Sequence, residues 1–184
     1  MATPKFVVTG STGHLGRLAV EALITRGVAP SRIVATGRHT DRIADLAARG
    51  VVVKRSDFDD PASLRAAFAG AERLLLVSSS ELGKRLAHHR NAIDAAKAAG
   101  VSFVAYTSIA NAPTSHMSLG PEHRGTEQLL RESGVPHVLL RNSWYFENYT
   151  DRIAMTVEQG VLLGAAGDAR IVRVVGVYSR PNRD

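Results

Sequence analysis

Short apolar runs alternate along the chain with segments in which apolar residues recur at helical intervals. Continuous apolar runs bounded by glycine or polar residues are typical of parallel strands covered on both faces. Six strands are predicted: Phe6–Val8, Ser31–Thr36, Val51–Lys54, Arg73–Val77, Phe103–Thr107 and Val138–Arg141. The helices predicted between them are about Leu15–Ile24, Asp41–Arg49, Pro61–Ala69, Leu82–Ala99 and Glu122–Ser133. This alternation predicts an α/β fold with a Rossmann-like, doubly wound parallel sheet.

The first strand runs into a loop with three glycines at three-residue spacing, and a helix follows. Gly10 permits a turn at positive φ, Gly13 lets a pyrophosphate approach the backbone, and Gly16 lets the helix pack against the strand. The helix N-terminus favours an anion. Dinucleotide binding is therefore favoured over a plain strand–helix turn, although the spacing is not G-x-G-x-x-G. The predicted contacts are Gly10, Ser11, Thr12, Gly13, His14, Leu15 and Gly16.

Polar residues follow the second and third strands, where the ligands of such sheets bind. Arg38 stands at the position where an NAD site usually carries an acidic residue. A guanidinium there can bind the 2′-phosphate of NADP, so NADP is favoured over NAD; the alternative is a solvent-exposed arginine. Asp57 and Phe58 follow the third strand, and we expect them to bind the adenine. The alternative there is an ordinary turn with helix caps, which suits Asp60 before Pro61.

The fourth and fifth strands also end in hydroxyl groups. Ser78, Ser79 and Ser80 are expected near the pyrophosphate and ribose, with strand-end capping as the alternative. Thr107 is a further candidate cofactor contact at the end of the fifth strand. His123 is either a ligand of the ribose or nicotinamide or a surface histidine, and the sequence favours neither.

An aromatic segment follows the sixth strand. Aromatic and amide side chains at the mouth of a sheet suit a flat ring substrate, and a core plug is the alternative. The predicted substrate contacts are Asn142, Ser143, Trp144, Tyr145, Phe146 and Glu147. No tyrosine is followed four positions later by lysine, so the chain lacks that catalytic pair and no catalytic residue is assigned.

Composition narrows the function. The 184 residues carry a net charge of +6, but the arginines are scattered and aromatic residues make up 5%, so nucleic-acid binding is not predicted. Cysteine is absent, and the histidine spacing does not predict a metal site. No run of about 18 apolar residues predicts a membrane span, and the short segment before the first strand leaves no room for a signal peptide. We expect one cytoplasmic domain over residues 1–184.

Several longer motifs resemble those of the NmrA-like atypical short-chain dehydrogenases. Within that family, the chain is most similar to the bacterial NADPH-dependent quinone oxidoreductases of type 2. The resemblance covers about residues 5–168. It rests on the glycine loop, on Arg38 and on the sequences LLLVSSSE (74–81), HRNAIDAAKAAGV (89–101), AYTS (105–108) and LLRNSWYFENY (139–149).

The resemblance implies a Rossmann-like domain that binds NADPH and a reaction that passes hydride to a small-molecule quinone. It places the cofactor at Gly10–Leu15, Arg38 and Ser78–Ser80, and the quinone at Asn142–Glu147. It also implies that family members run further and form a lid. Residues 172–184 do not fit the family, so the substrate region is expected to be largely missing. The 171–177 run is expected to form a strand, and residues 178–184 are expected to be disordered.

Three interpretations stay open at this point. The first is an NADPH-dependent quinone reductase, which needs no protein acid if water protonates the hydroquinone anion. The second is a dinucleotide-binding redox sensor that acts through a partner without turnover. The third is an inactive truncated form. An uncovered aromatic face after the sixth strand predicts a homodimer or a larger species.

Overall fold

The structure is a computed structural model of the chain, and it describes residues 5–143, 145, 147–150 and 153–160. The chain divides into two compact units, one up to Arg141 and one from Asn142 onward. The prediction of a single domain stays a prediction.

The first unit is built on a six-stranded sheet with the order β3-β2-β1-β4-β5-β6. Four neighbouring pairs are parallel: β1–β2, β1–β4, β2–β3 and β4–β5. The predicted doubly wound α/β fold is confirmed, and strand order reverses between β1 and β4. The strands are β1 Phe6–Val8, β2 Ile33–Gly37, β3 Val52–Arg55, β4 Arg73–Leu76, β5 Phe103–Ile109 and β6 His137–Asn142.

Helices connect the strands and cover both faces of the sheet. In the first unit they are α1 His14–Thr25, α2 Ala44–Ala48, α3 Pro61–Phe68, α4 Arg85–Ala98 and α5 Gly120–Ser133. The second unit contains α6 Glu147–Thr150 and α7 Ile153–Gln159. No helix in the described ranges has the length and apolar character that a membrane crossing requires.

Several predicted boundaries are wrong: β5 ends at Ile109 rather than Thr107, and α5 begins at Gly120 rather than Glu122. Three further differences have a cause in the local backbone. Ser31 and Arg32 lie in a 3₁₀ turn that Pro30 begins, so β2 starts only at Ile33. The predicted second helix opens with another 3₁₀ turn, Thr40–Ile43, before α2. The long fourth helix begins at Arg85 rather than Leu82, because Gly83 has a φ of +82°, outside the helical region.

The predicted N-cap of α3 is confirmed. The Asp60 carboxylate accepts hydrogen bonds from the backbone nitrogens of Ala62 (3.0 Å) and Ser63 (3.2 Å), and Pro61 occupies the first turn. These bonds satisfy amides that have no partner within the helix. The helix therefore starts where the aspartate–proline pair predicts.

Two apolar clusters hold the sheet between its helices. Successive strand residues point to opposite faces, so Val7 packs with Phe68 and Leu130, whereas Val8 packs with Val20 and Leu46. The first cluster joins the sheet to α3, α4 and α5, and the second joins it to α1 and α2. Both faces are thus covered, which leaves the strand ends to form a site.

Candidate cofactor-binding cleft

A cleft of about 310 Å³ opens at the carboxyl ends of β1, β2, β3 and β4. It lies where strand order reverses, the place at which open α/β sheets bind their ligands. Twelve of the predicted cofactor contacts line it, namely Gly10, Thr12, Gly13, His14, Leu15, Gly16, Arg38, Asp57, Phe58, Ser78, Ser79 and Ser80.

The three glycines of the loop have different steric surroundings. Gly10 has a φ of +60°, the left-handed region that favours glycine. A Cβ atom on Gly16 would lie 2.3 Å from the carbonyl oxygen of Gly10, so only glycine allows α1 to pack this close. A Cβ on Gly13 would meet the same oxygen at 3.5 Å, an ordinary contact. Within the protein itself, therefore, Gly13 has room for a side chain.

The N-terminus of α1 lies at this loop and is open. Gly13 is its N-cap, no side chain caps the first turn, and that turn contains no acidic residue. The first amides of a helix have no partner within it and carry partial positive charge. Because Gly13 has no side chain to block a ligand that approaches these amides, the geometry fits a pyrophosphate.

Ser11 does not face the cleft. Its hydroxyl is buried and donates to the carbonyl of Val8 (2.8 Å), while the backbone nitrogen of Thr36 donates to it (3.2 Å). The side chain ties the glycine loop to β2. A cofactor contact through this hydroxyl is therefore not supported by the geometry.

Arg38 and Glu81 form an ion pair between two walls of the cleft. Arg38 follows β2 and Glu81 follows the serines after β4, and β1 lies between these strands in the sheet. Nη1 of Arg38 lies 2.8 Å from Oε1 of Glu81. The two side chains are 52% and 33% exposed, so the arginine is available to a ligand.

The far wall is formed by the residues after β3. The ring of Phe58 stacks on that of His88 at a centroid distance of 5.7 Å, and Asn91 donates to the Phe58 carbonyl at 2.8 Å. The carboxylate of Asp57 accepts from the backbone nitrogen of Asp59 at 3.1 Å. Both predicted adenine contacts thus lie on a wall that α4 fixes in place.

The first turns of α4 hold Ser79 by all of its polar groups. Its backbone nitrogen donates to Nε2 of His89 (2.9 Å), and Nε of Arg85 donates to its carbonyl (2.7 Å). Its hydroxyl lies 2.9 Å from Nδ1 of His88. The serine therefore shapes the cleft wall chiefly through a rigid backbone.

His89 and His88 each bridge Ser79 to a second group. Because Nε2 of His89 accepts from Ser79, its Nδ1–H donates to the hydroxyl of Thr126 at 2.9 Å. Burial, with the charge of Arg85 next, holds the pKa of His89 well below its usual value, so this imidazole is neutral. Nε2 of His88 lies 3.1 Å from Oδ1 of Asp59.

Ser79, His88 and Asp59 therefore stand in the order of a hydrolase triad. The sequence lacks the G-x-S-x-G elbow that would expose such a serine, and Ser79 is buried. His88, Asp59 and Glu81 also place one ligand atom each within 4.8 Å of one another. The ammonium group of Lys84 lies 3.3 Å from Asp59 and 3.7 Å from Glu81, so a cation of the protein itself already lies beside these carboxylates.

Thr107 and His123 have partners inside the first unit and do not line the cleft. The Thr107 hydroxyl accepts from the backbone nitrogen of Ser78 (2.8 Å). The phenol of Tyr106 lies 2.6 Å from Nδ1 of His123, and both side chains are buried. Burial, with the charge of Arg85, lowers the pKa of His123 to about 4, so the ring is neutral at pH 7. Direct cofactor contacts by these side chains are not supported by this geometry.

A buried carboxylate joins α5 to β5 and β6. Glu127 accepts from the hydroxyl of Ser108 at 2.7 Å and from two nitrogens of Arg141 at 3.0 and 2.7 Å. Burial alone would raise the pKa of Glu127, but the bonds from Arg141 and Ser108 hold it below its usual value. The carboxylate is therefore ionised, and its bonds link α5 to the last two strands of the sheet.

The predicted substrate contacts fall in the second unit. The amide of Asn142 donates to the hydroxyl of Tyr145 at 2.9 Å. Burial, with a contribution from Glu147, raises the pKa of Tyr145. Ser143 is half-buried. Trp144, Phe146 and the strand and tail expected over residues 171–184 lie outside the described residues.

Six residues of the cleft escaped the sequence prediction: Thr9, Gly37, Ser56, Val77, Glu81 and His88. Gly37 and Glu81 adjoin predicted residues, and a Cβ on Gly37 would lie 2.7 Å from Thr12. Adjacency to a strand end was the signal that could have found them. His88 enters the cleft from α4, far from any strand end, and carried no such signal.

These features define the chain as a dinucleotide-binding α/β protein. The family model described as NAD(P)H-binding matches residues 10–170, so the chain belongs to that family. Over 164 residues the chain is 49% identical to Quinone oxidoreductase 2 of Escherichia coli (strain K12), covering 89% of this chain and 57% of that protein. It is 30% identical to the NmrA-like family domain-containing oxidoreductase flvB of Aspergillus flavus, covering 79% and 49%.

A solved structure supports the same relationship. The crystal structure of the Escherichia coli NADPH-dependent quinone oxidoreductase complexed with NADPH matches with a TM-score of 0.82 and 48% identity. The match covers 89% of this chain and 57% of that one. The predicted resemblance to NmrA-like proteins is confirmed, and the chain spans about half the length of these curated relatives.

Proposed function

We propose that this chain binds NADPH in the cleft and acts as an oxidoreductase that reduces a quinone. One observation carries the proposal. The open N-terminus of α1 and the guanidinium of Arg38 meet in a single cleft at the switch point of the sheet. These are the two groups that a pyrophosphate and a 2′-phosphate require.

Each wall of the cleft has a proposed role in binding. The backbone at Gly13 and the first amides of α1 bind the pyrophosphate, and Arg38 binds the 2′-phosphate. Asp57 and Phe58 hold the adenine. The backbone of Ser78–Ser80, which α4 fixes at Ser79, supports the middle of the cofactor.

The reaction itself needs little from the described residues. Bound NADPH supplies a hydride. Tyr106 and His123 are buried and hydrogen-bonded to each other, so we assign neither as a proton donor. Water can protonate the reduced quinone. The quinone as substrate is supported by the relative of Escherichia coli, whose name states that activity.

Three further predictions from the sequence belong to this proposal. Asn142–Glu147 are proposed as quinone contacts on their aromatic and amide character. A cytoplasmic location is proposed because the sequence predicts no membrane span or signal peptide. A homodimer is proposed because the aromatic segment after the sixth strand is expected to be uncovered.

The test is titration of the chain with NADPH by fluorescence, followed by NADPH oxidation with a benzoquinone at 340 nm. We expect saturable binding and oxidation above the background of the Arg38→Ala variant. Absence of binding would contradict the whole proposal. Binding without oxidation would instead favour the second candidate, a redox sensor, with which the missing Tyr–Lys pair is also compatible.

A further inference from the structure

Glu81 is hydrogen-bonded to the guanidinium of Arg38, the group that is proposed to bind the 2′-phosphate. Its Oε1 lies 2.8 Å from Nη1 of Arg38, a normal length for a charge-assisted hydrogen bond. The pair is half-exposed and both residues line the cleft. A phosphate that approaches Arg38 thus meets a carboxylate already bound there.

Glu81 has a second cation beside it. Its Oε2 lies 3.7 Å from Nζ of Lys84, which also contacts Asp59 at 3.3 Å. When Arg38 turns to a phosphate, the negative charge of Glu81 keeps a partner. Exchange of partners at Arg38 is therefore possible without leaving an unpaired charge in the protein.

We infer that Glu81 is a specificity-determining residue, which weakens the preference for NADPH over NADH by competing with the 2′-phosphate for Arg38. This inference rests on the proposed function. The carboxylate must leave Arg38 for NADPH to bind there, and it repels the phosphate while it remains close. NADH has a ribose hydroxyl in place of the phosphate and does not require the exchange.

The Glu81→Gln variant tests this inference, because glutamine keeps the size of the side chain and removes its charge. We expect NADPH affinity to rise about three- to tenfold and NADH affinity to change less than twofold at low salt. Adenosine 2′,5′-bisphosphate should follow NADPH, and 5′-AMP should follow NADH. In an Arg38→Ala background, Glu81→Gln should no longer raise the affinity for NADPH.

Glu72→Gln is the matched control. Glu72 forms an exposed ion pair with Arg32 at 3.1 Å and does not line the cleft. Its substitution by glutamine removes the same negative charge as Glu81→Gln. It should leave the ratio of the two affinities unchanged. An unchanged or lower NADPH-to-NADH affinity ratio in Glu81→Gln, with the wild-type chain still binding NADPH, would overturn this inference alone. A wild-type chain that binds neither dinucleotide would overturn the proposed function and this inference with it.

Discussion

The phenol of Tyr106 and Nδ1 of His123 are joined by a hydrogen bond of 2.6 Å between β5 and α5. Burial raises the pKa of Tyr106, so the phenol stays protonated and donates. The imidazole accepts because burial keeps it neutral. This pair makes the stability of the fold depend on pH.

We predict that the free energy of unfolding falls as the pH drops from about 6.5 towards 4. The pKa of His123 is about 4 in the folded chain, against about 6.5 when unfolded, so in this range the unfolded state binds a proton that the folded state does not. Such a group contributes a slope of at most about 1.4 kcal/mol per pH unit. His89, also neutral through burial, adds a slope of the same sign.

Urea unfolding of the wild type and of His123→Gln at pH 7, 6 and 5 checks this prediction. Glutamine can still accept from Tyr106 but does not titrate. The variant should show a shallower loss of stability over these three values. An equal loss in both proteins would show that His123 does not carry the effect.

Gly16→Ala should destabilise the fold by about 1–3 kcal/mol, the usual cost of overpacking. The added Cβ would lie 2.3 Å from the Gly10 carbonyl oxygen, and that backbone has no room to move without displacing the loop. Thermal and urea unfolding measure the effect. Gly13→Ala is the control, because its Cβ would make only an ordinary contact at 3.5 Å. Equal stability of the two variants would be inconsistent with the close packing of α1.

Gly13→Val should abolish dinucleotide binding and leave the fold largely intact. The branched side chain would fill the space in which the pyrophosphate is proposed to approach α1, and Gly13 has an extended backbone that valine can adopt. Circular dichroism and NADPH fluorescence read out fold and binding separately. A folded variant with wild-type affinity would mean that the phosphates bind elsewhere.

Arg38→Ala should weaken NADPH binding far more than NADH binding. Loss of a charge-assisted phosphate contact costs about 1.5–3 kcal/mol, which corresponds to roughly 10- to 150-fold in affinity. Calorimetric titration with both dinucleotides measures the difference. Equal losses for both would refute the assignment of Arg38 to the 2′-phosphate.

The parallel α/β sheet and most of its elements could be predicted, because buried parallel strands are continuous apolar runs. The predicted boundaries were wrong where the φ angle of one residue determines where an element begins, as at Pro30 and Gly83. The positions of Gly10, Gly13 and Arg38 in the cleft followed from their place after strands.

Side-chain direction was the part that the sequence did not reveal. Ser11 follows β1 and Thr107 lies in β5, yet the Ser11 hydroxyl donates to the Val8 carbonyl and the Thr107 hydroxyl accepts from the backbone nitrogen of Ser78. Glu81 and His88 reach the cleft only because β4 and α4 bring them opposite Arg38 and Phe58. Such contacts depend on tertiary packing and not on the local sequence pattern.

Backbone amide spectra of the ¹⁵N-labelled chain during titration with NADPH test the central claim most directly. We predict that resonances of Gly10, Gly13, Leu15, Arg38 and Ser80 shift in a saturable way. Glu72 and Ser102 are joined by a backbone bond at the other end of the strands, and their resonances should stay in place. Shifts that omit the glycine loop, or that centre on the opposite end of the sheet, would contradict cofactor binding in this cleft.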